Sequence, residues 1–365
     1  MPRPETPIKR LTARAFRVPT DTPEADGTFA WQDTVLVLAE VEAGGKSGLG
    51  YSYTAPAACG IVSDPLAGAV LGMDAFDIPK LSASMIQAVR NLGRAGLCSC
   101  AISAVDTALW DLKAKLLNLP LADLLGIERR DLPVYGSGGF TSYDDSRLAE
   151  QLAGWVERDG CAAVKMKIGS DPAHDANRVR VAREAIGRAE LYVDANGAFT
   201  TWQALSFAQR FAELDVSWFE EPVSSDDLRN LHTVRNRLPP SMALAAGEYG
   251  YDPFYFRRML EADSVDILQA DVTRCGGISG FLKAAALADA FLTPLSAHTA
   301  PALHLHVACA VPRFKNIEWF HDHVRIEYLF FDGVPVPKNG MIRPDFSRPG
   351  LGLAFKEADA SHYAI

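Results

Sequence analysis

The chain has 365 residues, of which 48% are hydrophobic and 22% are charged, and its formal net charge at pH 7 is −9. This length favours two domains with sizeable cores, and the composition excludes a largely disordered chain. The acidic balance argues against a nucleic-acid partner, because binding phosphates needs a basic face. An anionic small-molecule substrate stays open, because local charges set the field inside a pocket.

Targeting signals and cysteine pairs are not evident in the sequence. Residues 1–10 contain no apolar run of the signal-peptide type, and the apolar stretch 281–295 is interrupted by Lys283, Asp289 and Pro294. We therefore expect no membrane partner and a cytoplasmic location. Because no C-x-x-C pair occurs, we expect reduced cysteines at positions Cys59, Cys98, Cys100, Cys161, Cys275 and Cys309.

The N-terminal part of the chain predicts an α+β unit. Two strand-like runs cover 34–42 and 48–54, with a Gly-rich turn between them. A helical pattern then runs from Cys98 to Leu117, with apolar residues recurring three and four positions apart. Such a stripe is typical of a buried helix.

From Pro133 onward, strand and helix patterns alternate with a repeat of roughly 25 residues, which matches a (β/α)₈ barrel. We predict an α/β fold in which a modified TIM-type barrel (132–320) carries an α+β capping domain (1–131). Residues 321–365 should leave the barrel and pack back on the cap. The predicted barrel strands are 133–136, 162–168, 191–195, 216–220, 243–247, 265–270, 291–297 and 316–319.

Three acidic residues end three successive barrel strands: Asp194, Glu220 and Glu248. They are about one strand and one helix apart, so a parallel barrel places all three at the same rim. Three converging oxygen ligands without cysteine suit a hard cation, and we expect Mg²⁺.

Other strand ends also carry ionisable residues. Taken singly, a lysine pair on a strand is usually solvated, an isolated acid usually lies on the surface, and a lone histidine is usually structural. Their joint placement at one rim argues for a single site. The residues are Lys165 and Lys167, whose spacing puts both on one strand face, followed by Asp271, His298 and Glu318.

Several motifs together resemble the enolase superfamily and, within it, the mandelate racemase subgroup. The resemblance covers nearly the whole chain, and it is much less specific for a substrate than for the superfamily. The motifs are AISAVDTALWDLKAK (101–115), VKMKIG (164–169), VDAN (193–196), WFEEP (218–222), AGE (246–248), LQADVTRCGGIS (268–279), SAH (296–298) and RPGLGL (348–353).

The resemblance implies a role for each strand-end residue. The three carboxylates would hold Mg²⁺, and Lys167 would be the base on one face of the substrate. Lys165 would lower the pKa of Lys167, because two adjacent ammonium groups disfavour each other's charge. His298 with Asp271 would form the acid–base dyad on the opposite face, and Glu318 would hydrogen-bond the substrate carboxylate.

The same resemblance implies removal of the proton next to a carboxylate through an enolate. We expect dehydration of an acid sugar, an aldonate or aldarate, to a 2-keto-3-deoxy acid. The alternatives are racemisation or epimerisation of a 2-hydroxy acid, and cycloisomerisation of a sugar-acid lactone. A non-catalytic binding or structural protein is a remote alternative, because every ligand and base is present.

Substrate contacts should come from the cap and from the barrel rim. We expect Trp31, Tyr51, Tyr53, Asn196 and Arg274 to contact a small-molecule carboxylate, although the aromatic residues could equally be hairpin packing. The hydroxyl groups near the cap suit a polyol better than an aromatic substrate. The resemblance also implies a homo-oligomer, a dimer or an octamer.

Overall fold

A computed structural model describes residues 5–365, and strands and helices alternate through most of it. The strands are β1 (Arg10–Ala25), β2 (Ala30–Ala43), β3 (Lys46–Tyr53), β4 (Leu132–Gly138), β5 (Ala163–Lys167), β6 (Glu190–Asp194), β7 (Val216–Glu220), β8 (Ala243–Ala246), β9 (Ile267–Ala270), β10 (Leu295–Ala297), β11 (Phe314–Phe320), β12 (Phe331–Asp332), β13 (Met341–Ile342) and β14 (Ala354–Phe355).

The helices fall between these strands, and a π-helical turn at Val62–Leu66 joins α1 to α2. They are α1 (Ala58–Ile61), α2 (Ala67–Val70), α3 (Ile78–Ala88), α4 (Leu97–Leu117), α5 (Leu121–Leu125), α6 (Asp145–Glu157), α7 (Pro172–Ile186), α8 (Thr201–Ala212), α9 (Leu228–Arg235), α10 (Pro253–Glu261), α11 (Gly277–Ala290), α12 (Pro301–Ala308), α13 (His321–Phe330) and α14 (Glu357–Ala360). In the described part of the chain, none has both the length and the apolar character needed to cross a membrane.

Strands β4 to β11 form a closed parallel barrel. Each pairs with the next in chain order, and β11 pairs with β4 to close the ring. Helices follow the strands, as in a (β/α)₈ barrel, so the predicted fold class is confirmed. All eight predicted strands are present, although β10 is shorter than the predicted 291–297. The six cysteines are free, as expected.

The capping domain packs helix α4 against a three-stranded antiparallel sheet, β1–β2–β3. Contact between β3 and α4 requires glycine. A Cβ at Gly48 would lie 2.2 Å from the Ala108 carbonyl oxygen, and one at Gly50 would lie 2.3 Å from that of Ala104. The two glycines therefore let the helix backbone rest directly on the strand.

Two buried aspartates of α4 connect the cap to the rest of the chain. Asp106 Oδ1 accepts a hydrogen bond of 2.9 Å from the backbone N–H of Ser279, in the first turn of the barrel helix α11. Asp111 accepts hydrogen bonds from the backbone N–H groups of Leu49 and Leu351, at 2.8 and 2.7 Å. The apolar stripe predicted for this helix thus includes polar anchors.

The C-terminal segment contacts both parts of the molecule. β13 pairs antiparallel with β4, whereas Phe330 and Phe355 pack their rings on Phe16 of β1. The backbone N–H of Ile365 also donates to the Ala15 carbonyl oxygen. The domain limits at 131/132 and 320/321 stay predictions. Strand β1 itself was not predicted.

Candidate active site

The three predicted carboxylates meet at the carboxyl ends of β6, β7 and β8. One carboxylate oxygen from each of Asp194, Glu220 and Glu248 lies within 4.8 Å of the others, and all three side chains are buried. Burial and the charge of Asp194 raise the pKa of Glu220, as expected where like charges crowd together. Oxygen Oε2 of Glu248 accepts no hydrogen bond from the described residues. This donor set fits a divalent hard cation.

Both predicted lysines lie against this cluster, but they differ in their surroundings. Lys165 contacts Glu220, and its Nζ lies 2.8 Å from Glu318 and 3.6 Å from Asp194. Lys167 Nζ lies 2.5 Å from Asp194 Oδ2. Only Lys167 lines the cavity above the cluster. It is therefore the lysine that can reach a bound molecule.

Burial lowers the pKa of Lys167, and the charge of Lys165 lowers it too, as predicted. The charge of Asp194 acts in the opposite direction, together with those of Glu248 and Glu220. The net pKa of Lys167 is therefore raised, which was not predicted. Spacing on a strand could not reveal this, because it shows which lysines are neighbours but not which carboxylate pairs with them.

His298 and Asp271 form the predicted dyad at the ends of β10 and β9. His298 Nδ1 lies 2.9 Å from Asp271 Oδ2, and His298 Nε2 points toward the cluster, 3.3 Å from Glu248 Oε2. Burial raises the pKa of Asp271, but the hydrogen bond from His298 and the charges of His298 and Arg274 together lower it by more, so the net pKa is lowered. The carboxylate thus stays ionised and fixes the orientation of the ring.

Glu318 closes the set at the end of β11. Its Oε1 accepts a hydrogen bond of 2.6 Å from Ser137 and contacts Lys165, and its Oε2 accepts one of 3.0 Å from the Thr299 backbone. Burial raises the pKa of Glu318, but the charges of Lys165, His298 and Lys167 together lower it by more, so the net pKa is lowered. Glu318 is buried and does not line the cavity.

A cavity of about 570 Å³ lies between the barrel rim and the cap. The barrel contributes Lys167, Asn196, Glu248, Arg274 and His298 to its wall. The roof comes from the β1–β2 hairpin and from the end of β3, with Asp26, Phe29, Trp31, Asp33 and Tyr53. Of the predicted substrate contacts, the structure brings four to this cavity: Trp31, Tyr53, Asn196 and Arg274.

The expectation for Tyr51 is wrong. Tyr51 is fully buried behind Tyr53, its hydroxyl donates a 2.6 Å hydrogen bond to Glu327, and its ring stacks on Phe331. Both tyrosines lie on one face of β3, two residues apart, but only the one at the strand end reaches the cavity.

His323 and Thr299 are among the cavity residues that were not predicted. His323 lies in the first turn of α13, stacked on Tyr53 with 3.4 Å between ring centroids. Burial lowers the pKa of His323 to about 3, so its ring is neutral at pH 7. Thr299, beside His298, also lines the cavity. The polar run that follows Glu318 (His321, Asp322, His323) was a visible signal for the first of these.

Three residues beside the site have a strained backbone. The φ angles are 46° at Asn196, 36° at Glu221 and 52° at Thr299. These angles lie in the left-handed region, which residues other than glycine rarely adopt. Each residue follows a barrel strand that carries a residue of the cluster or the dyad. Strained residues of this kind often hold functional groups in place.

Comparison with known proteins agrees with this architecture. Residues 11–126 match the family model of the mandelate racemase / muconate lactonizing enzyme N-terminal domain, and residues 147–359 match that of the enolase C-terminal domain-like family.

Similar proteins include enzymes that act on sugar acids. A 3,6-anhydro-alpha-L-galactonate cycloisomerase from Streptomyces coelicolor is 36% identical over 85% of this chain and 88% of its own. An L-talarate/galactarate dehydratase from Salmonella typhimurium is 32% identical over 89% and 81%, respectively.

Two solved structures share the whole fold. A mandelate racemase/muconate lactonizing enzyme-like protein from Rubrobacter xylanophilus is 50% identical with a TM-score of 0.96, covering 98% of this chain and 100% of that one. A racemase from Streptomyces coelicolor with bound magnesium is 32% identical with a TM-score of 0.92, and the match covers 98% of this chain and 100% of that one. The chain therefore belongs to the mandelate racemase / muconate lactonizing enzyme family of the enolase superfamily.

Proposed function

We propose that the protein removes the proton next to a carboxylate with the help of Mg²⁺ and dehydrates an acid sugar to a 2-keto-3-deoxy acid. One observation carries the proposal. Lys167 and the His298–Asp271 dyad approach the carboxylate cluster from strands β5 and β10, which are three strands apart around the ring. A molecule held at the cluster thus has a proton-transfer group on either side.

The metal would be held by Asp194, Glu220 and Glu248, which the donor chemistry fits. When bound, Mg²⁺ supplies positive charge that favours loss of the proton next to the substrate carboxylate. The solved racemase with bound magnesium supports this choice of ion.

The chain's own groups would move the protons. One of Lys167 and His298 takes the α proton, and the electron pair of the broken C–H bond forms the enolate. The other gives a proton to the β-hydroxyl, which leaves as water when its C–O bond breaks. The resulting enol becomes the 2-keto acid. Asp271 keeps a proton on His298 Nδ1, which leaves Nε2 for the reaction.

The cavity walls favour a polar substrate. Asn196 Oδ1 is buried without a hydrogen-bond donor among the described residues, and Asp26 and Asp33 offer further acceptors in the roof. Arg274 lies against Glu248 and Asp271, and it adds positive charge for a carboxylate. These groups suit the hydroxyls and the acid group of an aldonate or aldarate.

Cycloisomerisation of a sugar-acid lactone is the second candidate. The relative from Streptomyces coelicolor that is 36% identical is named as a cycloisomerase. The two proton-transfer groups proposed here could also catalyse cycloisomerisation. Racemisation needs only return of the proton from the opposite face. The identity of the product therefore distinguishes dehydration, cycloisomerisation and racemisation.

The test is a panel of acid sugars and their lactones, incubated with Mg²⁺ and assayed for 2-keto product, with deuterium uptake from D₂O followed by NMR. We expect keto product from at least one aldonate or aldarate. Lys167→Ala and His298→Asn should each lower its formation by about 10²–10⁴-fold. Lys80→Ala changes an exposed residue and His232→Asn a partly exposed one, neither of which lines the cavity, and they serve as controls.

The outcomes separate the candidates. Ring-opened or ring-closed isomer without water loss would replace dehydration by cycloisomerisation, and deuterium uptake with a second stereoisomer would replace it by racemisation. Whichever product forms, an unchanged rate in both Lys167→Ala and His298→Asn would overturn the assignment of Lys167 and His298 as the proton-transfer groups.

A further inference from the structure

A second cluster of possible metal ligands lies outside the cavity, between the cap and the barrel. It consists of Asp21 and Glu24 from β1 and His321 from the first turn of α13. Ligand atoms from the three residues lie within 4.8 Å of one another, and His321 Nε2 is 3.0 Å from Asp21 Oδ2. Residues distant in sequence thus meet at one point.

The local backbone explains how β1 supplies two ligands. The pairing of β1 with β2 shifts register between Pro19 and Glu24, so the strand is irregular where Asp21 lies. Such bulges re-aim side chains and are frequent beside active sites. Asp21 is partly exposed, so an ion has a path of entry from solvent.

An unsatisfied oxygen marks the buried side of this cluster. Glu24 is 1% exposed, and its Oε2 accepts a 2.8 Å hydrogen bond from Trp31 Nε1. Its Oε1 is buried and accepts none from residues 5–365. An unpaired buried carboxylate oxygen costs free energy unless a donor or a cation lies against it.

Carboxyl groups outnumber guanidinium groups around the cluster. Asp322 is fully buried beside the cluster, and one of its oxygens accepts a 2.5 Å hydrogen bond from Arg325 while the other has no described donor. Arg147 lies 3.8 Å from Asp21. Three carboxylates therefore face two guanidinium groups, and His321 can offer a neutral nitrogen.

We propose that Asp21, Glu24 and His321 bind a divalent transition-metal ion of the Zn²⁺, Mn²⁺ or Co²⁺ type, separate from the Mg²⁺ cluster. One imidazole nitrogen with two carboxylate oxygens suits these ions better than Mg²⁺, which prefers oxygen ligands alone. Water would complete the coordination on the exposed side.

Such an ion would tie the β1–β2 hairpin to the barrel. Glu24 holds Trp31, which forms part of the cavity roof, and His321 directly follows β11, which carries Glu318. Metal binding would therefore fix the roof in its closed position. The proposal does not depend on the reaction assigned above.

The test uses Co²⁺ as the probe, added to full-length protein in excess Mg²⁺ and followed by visible absorption and equilibrium dialysis. We expect one Co²⁺ per chain that Mg²⁺ does not displace. Glu24→Gln and His321→Gln should each weaken it at least tenfold, since an amide is a poor ligand for these ions. Gln at position 24 can still accept the hydrogen bond from Trp31, which protects the fold.

The control is His174→Gln, because His174 and Asp171 form an exposed pair 2.7 Å apart that belongs to no three-ligand group among the described residues. It should leave Co²⁺ binding unchanged. The variant Asp194→Asn/Glu220→Gln, which replaces two of the three Mg²⁺ ligands, should also retain the ion. Equal Co²⁺ binding by Glu24→Gln, His321→Gln and the parent protein, or no binding in excess Mg²⁺, would overturn the proposal without touching the proposed reaction.

Discussion

Lys165 and Lys167 show how two identical residues on one strand face acquire different tasks. Lys165 is surrounded by Asp194, Glu220 and Glu318, and it does not line the cavity. It serves as a fixed counter-charge that holds the carboxylates together. Lys167, nearer the rim, has one carboxylate partner and a free approach from the cavity.

Asp271→Asn is the sharpest single-atom test of the dyad. The asparagine Oδ1 can still accept the 2.7 Å hydrogen bond from the Thr273 backbone. Its NH₂ would then face His298 Nδ1, which must become the acceptor, and the proton would move to Nε2. We expect kcat/KM to fall about 10²–10⁴-fold, measured on whichever acid sugar is turned over.

Magnesium affinity and the thermal midpoint of Asp271→Asn should stay close to those of the parent protein, because no metal ligand changes. An unaltered kcat/KM would show that Asp271 does not set the tautomer of His298.

At this scale the sequence predicted the charged residues better than the aromatic ones. A charged side chain at the end of a barrel strand is costly to bury in the core and therefore lies at the rim, so strand spacing could place Lys167, Asp194 and His298. Strand spacing could not place Tyr51, because a tyrosine can pack in a core as well as line a cavity. Its partner Glu327 lies in a part of the sequence that carried no strand signal.

Helix α4 joins the cap to the barrel through a buried charge. Asp106 faces the first turn of α11, where the backbone N–H groups and the helix dipole favour a carboxylate. Burial nevertheless raises the pKa of Asp106 to about 7, because its Oδ2 has no donor among the described residues. The cap–barrel interface therefore includes a group that titrates near neutrality.

This gives the stability of the protein a pH dependence that Asp106→Asn should reduce. The native pKa lies above the unfolded value of 3.8, so the folded state binds more protons and loses stability as pH rises from about 4 to about 7. We expect the variant to gain on the order of 4 kcal/mol relative to the parent protein at pH 8 compared with pH 4.

Thermal midpoints at the two pH values provide the measurement, and the exposed Asp77→Asn is the control. If the difference between Asp106→Asn and the parent protein were the same at both pH values, Asp106 would not be the titrating group.

The contact of β3 with α4 supports a second prediction for this element. Gly50→Ala would drive a methyl group into the Ala104 carbonyl oxygen and separate strand from helix. We expect a loss of about 2–3 kcal/mol of stability, as is usual for overpacking, measured as a lower thermal midpoint.

The matched control is Gly68→Ala in the short helix α2, where a Cβ meets nothing within 4 Å. It should be neutral or stabilising by about 0.5–1 kcal/mol. Equal effects of the two variants would mean that β3 and α4 can move apart freely.

Element prediction from sequence succeeded for the barrel and was incomplete for the cap. Buried parallel strands have continuous apolar runs, which made all eight visible. β1 instead mixes arginines and threonines with Pro19 and Pro23, because one face meets solvent and its end is irregular. The polar anchors of α4 were equally invisible, since their partners lie far along the chain.

For the whole molecule, the site is a composite of barrel floor and cap roof. The barrel supplies Lys167, Glu248, Arg274 and His298, and the cap supplies Asp26, Asp33 and aromatic side chains. We therefore expect that changes in the hairpin can alter the substrate while the proposed proton-transfer groups stay in place.

Mg²⁺ should stabilise this whole assembly. An ion that binds only the folded state raises the free energy of unfolding by about 2.7 kcal/mol at a concentration 100 times its Kd. We expect a higher thermal midpoint with Mg²⁺ than with EDTA, measured by calorimetry. In the variant Asp194→Asn/Glu220→Gln, the midpoints with Mg²⁺ and with EDTA should coincide. If Mg²⁺ did not change the midpoint of the parent protein, the carboxylate cluster would not be the Mg²⁺ site.

The anchoring of β1 by the C-terminal segment has a consequence for how the protein acquires its structure. Arg14 pairs with Glu357, and the Ala15 carbonyl meets Ile365, so the first strand finds these partners some 340 residues later. Contacts this distant in sequence form slowly, because a long loop must close first. We therefore expect the cap to complete its packing after the barrel, with the carboxylates of the rim exposed to water until then. The proposed reaction should require that β1 has met the C-terminal segment.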